Sequence, residues 1–241
     1  MDYLPGLGPL DAFAVVLFIF AWLGFGPLLR WRASRLGVLG TAMVDHRRVW
    51  MYELIGRDMK VHDTAIVGHI MSTAGFFAST TVIVIGALVG VLINMGRSLE
   101  SQGGQLFSIG MPSTIEVKVV LIVVLAIYAF QAFTWAIRQA NFAAVLMGAA
   151  PPAARISPER REALATEMGK MITGVATSYD NGLRAYYFAF AALTWIAGPL
   201  PFIVATVGAF WLLLYRQTRS RTALALKAIA TVRDEKASAE S

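Results

Sequence analysis

The sequence predicts an all-α integral membrane protein, a bundle of about four transmembrane helices with amphipathic helices on its cytoplasmic face. Hydrophobic residues make up 57% of the 241 positions and charged residues only 15%, and the mean hydropathy is +0.61. Soluble domains have fewer hydrophobic and more charged residues than this. Asp, Glu, Lys and Arg are absent from residues 12–29, 64–96, 119–137 and 185–215. Such long apolar runs exclude a soluble two-domain enzyme, and also a transmembrane barrel, whose strands alternate over about ten residues.

The first predicted span covers about residues 10–29 and ends at a cluster of cations. At about 1.5 Å per residue, a helix of this length reaches across a hydrocarbon core of about 30 Å. Arg30, Arg32 and Arg35 follow directly, and no Lys or Arg precedes Arg30. The positive-inside rule therefore places the N-terminus outside and this end in the cytoplasm. The lack of a basic leading region predicts that the span is retained, not cleaved as a signal peptide.

The next segment, residues 30–65, is predicted to be cytoplasmic because seven Lys and Arg fall between positions 30 and 63. Apolar residues such as Leu39, Met43 and Trp50 recur among these cations close to helical spacing. We expect an amphipathic helix at the inner membrane surface. The alternative is a connecting helix that packs on the spans without contacting lipid.

The second span, about residues 66–96, contains a longer uncharged stretch than a membrane requires, so the helix must tilt or project. Small residues recur along it at spacings of 4, 3, 4, 7 and 4. Small residues at such spacing let two helix backbones approach closely, which predicts a helix-packing face. The sharper alternative is a polar path lined by the hydroxyls of Ser79, Thr80 and Thr81. The packing face consists of Gly68, Ser72, Gly75, Ser79, Gly86 and Gly90.

The third span is predicted at about residues 117–137, after a polar loop that carries a single arginine and is therefore placed outside. Lys118 can reach the outer interface by snorkelling. Residues 138–184 hold six more Lys and Arg and are predicted to be cytoplasmic. Within them, Ser157-Pro158 is typical of a helix start, with a serine cap and a proline in the first turn.

The last span, about residues 185–215, contains Gly198-Pro199-Leu200-Pro201 at its middle. We expect one kinked crossing, which leaves the basic tail 216–241 outside and violates the charge rule. A hairpin at the prolines would return the tail to the inside. Each arm would then have about 13 residues and reach only about 20 Å, too short to cross alone.

Chemical motifs are sparse. The chain has no Cys, and it contains no phosphate loop, nucleophile elbow or spaced carboxylate pair, so we expect no enzymatic activity and no cofactor. The surplus cations flank apolar spans, so they predict a membrane partner and not nucleic acid. Asp58, His62 and His69 would share a face if residues 57–72 formed one helix, but without a tight histidine pair they are weak metal candidates. An interfacial His69 is the simpler interpretation.

Five strings together resemble a multipass membrane family of bacteria and plants that is catalogued as domain of unknown function 599. They are Arg57-Asp58 with Asp63, FFASTT at residues 76–81, RQANF at 138–142, GLRAYYF at 182–188, and LYR at 214–216 with Ser220-Arg221. The resemblance implies an integral membrane protein of a few helices and no assigned reaction, substrate or cofactor. Gln217-Thr218 stands where an Arg-Glu pair is usual in that family.

The polar residues of these strings form a candidate network, either as surface charges or as ion pairs between helices. Its members are Arg57, Asp58, Asp63, Arg138, Asn141 and Arg184.

Two functions fit this sequence. The first is a passive, channel-like conduit of the bacterial inner membrane, built as a homo-oligomer. The second is a non-catalytic scaffold or accessory subunit that binds other membrane protein subunits. No Asp, Glu, Lys or Arg falls within the four uncharged stretches, and His69 lies near the cytoplasmic end of the second. Coupled transporters usually keep an ionisable group near mid-membrane, so its absence there argues against a pump.

Overall fold

The computed structural model describes residues 8–36, 39–101, 114–218, 225 and 229. In this part of the chain there are six α-helices and two short 3₁₀ turns, and no strand. The predicted all-α fold is therefore confirmed. Residues 102–113 of the predicted external loop and most of the predicted basic tail lie outside the described residues.

Helix α1 spans Pro9–Leu36 and begins with a local cap. The Gly8 amide donates to Asp11 Oδ2 at 3.2 Å, and the Asp11 amide donates to the Gly8 carbonyl at 3.0 Å. An acidic side chain in the first turn satisfies an amide that has no partner within the helix. Proline at the first helical position loses nothing, because its missing donor would be unpaired there.

Helices α2 (Leu39–Gly56) and α3 (Val61–Ser101) are separated by residues 57–60. The assumption that residues 57–72 form one helix is therefore wrong, and Asp58 does not lie on α3. Helix α3 has 41 residues, about 60 Å of helix, which is about twice the thickness of a hydrocarbon core.

Helix α4 spans Thr114–Ala149 and extends twelve residues beyond the predicted end of the third span. Pro151-Pro152 and a 3₁₀ turn at Ala153–Arg155 separate it from α5, Pro158–Leu193. The predicted helix start at Ser157-Pro158 is confirmed, because the amide of Arg160 donates to Ser157 Oγ at 3.4 Å. Hydrogen bonds from its own backbone amide and from Ser157 lower the pKa of the exposed Glu159 carboxyl.

The expected single kinked crossing over residues 185–215 is wrong. Helix α5 ends at Leu193, a 3₁₀ turn covers Thr194–Ala197, and α6 spans Pro199–Thr218. Gly198 has a φ of 131°, a backbone conformation that glycine adopts without a steric penalty. Pro199 then begins α6 where its missing amide donor costs nothing.

Aromatic contacts show that α5 and α6 form an antiparallel pair. Phe18 of α1 lies 5.6 Å from Phe188 and 5.1 Å from Phe202, measured between ring centroids. Two turns further along α1, Phe25 lies 5.5 Å from Phe210 and 5.6 Å from the Arg184 guanidinium. Contacts therefore move backwards along α5 and forwards along α6. The two arms of this hairpin are long enough to cross a hydrocarbon core, because the first arm begins before residue 185, in the charged part of α5.

The chain packs as two compact units, and α1, α3, α4, α5 and α6 each contribute a segment to both. The first unit contains Met1–Phe25, Phe76–Phe133 and Asp180–Phe210, and the second contains Gly26–Gly75, Thr134–Tyr179 and Trp211–Ser241.

In the first unit, the C-terminal end of α5 carries several fully buried side chains. Ala185, Phe188 and Ala192 are fully buried. Side chains of this segment and of the turn after it contact α1, α3, α4 and α6, as Phe188 does with Phe18 and Trp195 with Phe202. The remaining side of this segment is apolar and open, with Phe190 and Leu193 65% and 41% exposed.

In the second unit, α2 packs on α3, α4 and α5 through a continuous apolar core. The α2 side chains Met51, Leu54 and Ile55 are fully buried. The remaining buried members of this core are Val67, Ala140, Ala143, Met147, Ala150, Ala165, Met168, Ile172 and Val175.

Candidate functional site

The outward side of α3 carries two of the three hydroxyls predicted to line a polar path. Ser79 and Thr80 are exposed. Thr80 Oγ1 donates to the Phe76 carbonyl at 2.9 Å, which satisfies the donor and leaves the oxygen able to accept a hydrogen bond. This arrangement lets a threonine remain on an apolar surface and still offer a hydrogen-bond acceptor.

Thr81 lies on the packed side of α3, away from that surface. It is 1% exposed, and its hydroxyl oxygen is 2.5 Å from the Tyr186 hydroxyl oxygen and donates to the Phe77 carbonyl at 2.6 Å. Successive helical residues are about 100° apart, so a run of three cannot share one face. Thr81 therefore joins α3 to α5.

The predicted helix-packing face also points outward from the single chain. Four of its members, Gly68, Ser72, Ser79 and Gly86, are exposed, and the other two, Gly75 and Gly90, are half-buried. A Cβ atom placed on any of its four glycines would meet nothing within 4 Å. The face is therefore not used for packing within the described chain, and its role in packing between molecules stays a prediction.

The close backbone approaches occur at other glycines, which the sequence analysis missed. A Cβ on Gly182 of α5 would lie 2.6 Å from the Phe133 ring, and one on Gly169 would lie 3.0 Å from Cα of Arg48. Both glycines lie on α5, among polar residues. They lie outside the uncharged stretches, where small residues predict helix packing in a membrane.

Asp63 forms the centre of a polar cluster in the second unit. It is 1% exposed, and Trp50 Nε1 and Arg57 Nη1 each donate to its Oδ1 at 2.7 Å. Its Oδ2 has no hydrogen-bond partner among the described residues. The ion pair therefore holds the corner between α2 and α3, whereas Asp58 is exposed.

Two further members of the candidate network lie on the surface of α4. Arg138 is exposed, with its guanidinium carbon 6.0 Å from the Trp135 ring centroid and 5.7 Å from that of Phe142. The Asn141 amide donates to the Ile137 carbonyl at 3.1 Å. Neither residue pairs with the Arg57 and Asp63 cluster.

Arg184 belongs to the first unit. Its Nη2 donates to Asn181 Oδ1 at 2.9 Å and its guanidinium lies over the Phe25 ring, while its Nε has no hydrogen-bond partner among the described residues. The six candidate residues are thus divided among separate places and form no single network.

The weak metal candidates are not brought together as a site. Asp58, His62 and His69 are all exposed, and Asp58 precedes α3. Among the described residues there is no group of three His, Asp or Glu placed to hold a metal ion.

A second polar cluster, around Trp195, was not predicted. Trp195 is 2% exposed, and its Nε1 donates to Asp11 Oδ1 at 2.7 Å. Lys118 Nζ lies 5.5 Å from the ring centroid. The sequence did indicate that Asp11 and Lys118 lie at the same side, since they stand at the predicted outer ends of the first and third spans. Only a hairpin would have brought Trp195 to the same end.

Four described helices have the length and apolar composition to cross a membrane: Pro9–Leu29, Val61–Met95, Thr114–Ala149 and Pro199–Thr218. Together with α5, they define a multipass helical membrane protein. The family model described as "Protein of unknown function, DUF599" matches residues 13–222, and the chain belongs to this family. The resemblance noted from its sequence strings is thereby confirmed. No curated protein and no solved structure matches the chain.

Proposed function

We propose that this protein is a passive, channel-like conduit for an ion or small solute, built as a homo-oligomer in the bacterial inner membrane with its N-terminus outside. The observation that carries the proposal is the outward side of α3. There, Ser79 and Thr80 are exposed within a stretch of 33 uncharged residues, 64–96. Hydroxyls on such a face provide weak polar contacts of the kind that line a neutral path.

The location of these hydroxyls favours an assembly of several copies. The apolar pocket of the second unit, between Met51, Met147 and Met168, has no room even for a water molecule, so it offers a solute no path. The hydroxyls of Ser79 and Thr80 instead lie on the outer surface of the chain. A polar path along them therefore has to form where α3 faces α3 of another copy, and the small residues of the same helix permit that approach.

The charge distribution favours passive movement. Coupling to protons or sodium generally uses an ionisable group beside the substrate path. Helix α3 has no charged residue from position 64 to 96. Arg184 is occupied by Asn181 and Phe25 in the packed interior of the first unit, so it supplies no charge to the outward side of α3.

The test is solute flux into liposomes that contain the purified protein, with no proton or sodium gradient applied. Cations, anions and small neutral solutes are each measured. Thr80→Val keeps the side-chain shape and removes the hydroxyl, so it should lower flux several-fold while the size of the assembly is unchanged. Thr177→Val is the matched control, because Thr177 is also exposed and makes the same backbone bond, to the Thr173 carbonyl at 2.8 Å.

Flux that falls in Thr80→Val and not in Thr177→Val supports the conduit. Liposomes that stay sealed to all three solute classes contradict it. In that case the same exposed face would fit the alternative, a scaffold or accessory subunit that uses its small residues to bind another membrane protein.

A further inference from the structure

Arg138 is held on the surface of α4 between two aromatic rings. Trp135 precedes Arg138 and Phe142 follows it, each by about one helical turn. Their exposed fractions are 51% and 49%. The guanidinium carbon is within 6.0 Å of both ring centroids. Contacts at this distance orient a guanidinium through its attraction to the ring faces. The side chain is therefore positioned, although it is exposed.

The position of Arg138 along α4 matches a membrane boundary. Lys118 and Arg138 bracket the 19 uncharged residues 119–137, which correspond to about 30 Å of helix, the thickness of a hydrocarbon core. Tryptophan concentrates at the same depth, where its ring meets the lipid headgroups. Trp135 and Arg138 thus lie where phosphate groups are found.

The hydrogen-bonding capacity of Arg138 is unused within the described residues. Its contacts there are the two rings, and no carboxylate, carbonyl or amide oxygen binds its guanidinium. Other cations of the second unit are occupied: Arg57 by Asp63, Arg161 by the Tyr52 carbonyl, and Lys60 by the Ala150 carbonyl. Five N–H donors in a planar fork match two oxygens of a phosphate.

We propose that Trp135, Arg138 and Phe142 form a binding site for the headgroup phosphate of an anionic phospholipid in the cytoplasmic leaflet. The guanidinium binds the phosphate, and the two exposed rings contact the glycerol and upper acyl chain region of the same lipid. Anionic lipids of this leaflet attract cations next to a span, and the rings restrict the bound lipid to one place. This site does not depend on the proposed conduit.

The experiment measures quenching of Trp135 fluorescence by brominated lipids in detergent micelles that contain the intact protein. The Trp135 signal is the difference between the unmodified protein and Trp135→Phe. Brominated phosphatidylglycerol should quench this signal at about a fivefold lower mole fraction than brominated phosphatidylcholine. Arg138→Gln should abolish this preference.

Arg160→Gln is the matched control, since Arg160 is exposed and loses the same charge but has no flanking ring among the described residues. Its preference for phosphatidylglycerol should be unchanged. Inorganic phosphate at millimolar concentration should not displace the brominated lipid, because it cannot contact the rings. Equal quenching by the two lipids, an unchanged preference in Arg138→Gln, a lost preference in Arg160→Gln, or displacement by inorganic phosphate would each overturn the proposal.

Discussion

Trp195 Nε1 donates a hydrogen bond of 2.7 Å to Asp11 Oδ1 and so joins two residues 184 positions apart in the sequence. Trp195 lies in the turn between α5 and α6, and Asp11 lies in the first turn of α1. Both are buried. The bond therefore anchors the corner of the α5 and α6 hairpin to the start of the chain's first span.

Removing the indole donor should destabilise the protein. Trp195→Phe keeps a ring to stack on Phe202 but removes the N–H donor to Asp11 Oδ1, while the Gly8 amide still donates to Oδ2. A hydrogen bond to a charged group contributes about 1.5 to 3 kcal/mol, so the midpoint of thermal unfolding in detergent should fall by several degrees. Trp211→Phe is the control, because Trp211 is 63% exposed. Equal midpoints for the two variants would contradict the anchoring role.

Adding one methyl group at Gly182 should also destabilise the fold. The new Cβ would lie 2.6 Å from the ring of Phe133, which is itself fully buried. Overpacking of this kind costs about 1 to 3 kcal/mol. Gly24→Ala is the matched control in the same unit, because its Cβ would meet nothing within 4 Å. The prediction fails if thermal unfolding of Gly182→Ala is as late as that of Gly24→Ala.

A bulky residue on the outward side of α3 should weaken association between copies without unfolding the single chain. Gly75→Leu and Ser79→Leu each add a branched side chain where two backbones are proposed to meet. The particle mass in detergent, measured by light scattering, should decrease while the helical content is retained. Gly208→Leu adds the same bulk at an exposed, open position of α6 and should leave the mass unchanged. A constant mass in all three variants would show that α3 faces lipid.

The hairpin predicts the side of the membrane on which α6 ends. Helix α6 runs parallel to α1, so reporters fused after Arg35 and after Thr218 should both be cytoplasmic, and one at Gly103 should be external. Gly103 lies outside the described residues. Alkaline phosphatase activity at Thr218, together with its absence at Arg35, would contradict the parallel arrangement. This topology also places Arg216 on the side that the charge rule requires.

Hydropathy alone located three of the four apolar helices, because membrane crossing depends on the summed transfer free energy of consecutive residues. The same sum failed at the fourth span. It counted residues 185–215 as one unit, whereas the first part of that stretch belongs to α5, a helix with Asp180 and Arg184 in its preceding turns. A helix that packs against several others along part of its length does not have to be apolar throughout, so no single-segment measure identifies it.

The candidate site, too, was predicted in part from sequence and decided in part by packing. The sequence predicted a stripe of small residues on α3, and the stripe exists, but its direction depends on which face α5 occupies. Because Tyr186 binds Thr81 and the Phe77 carbonyl, α3 is turned so that Ser79 and Thr80 face outward. Likewise, Arg57 and Asp63 are six positions apart, and their pairing is local enough for a sequence pattern to indicate.

By itself, then, the sequence determined the class of protein, the all-α fold, the first three spans and the start of α5, since each follows from residues close together in the chain. Only the tertiary structure decided the hairpin, the burial of α5, the bond between Asp11 and Trp195 and the glycines at which helices touch. Those features depend on contacts between segments up to 184 positions apart. The free energy of such a contact depends on the neighbour that fills the space, and no local pattern specifies that neighbour.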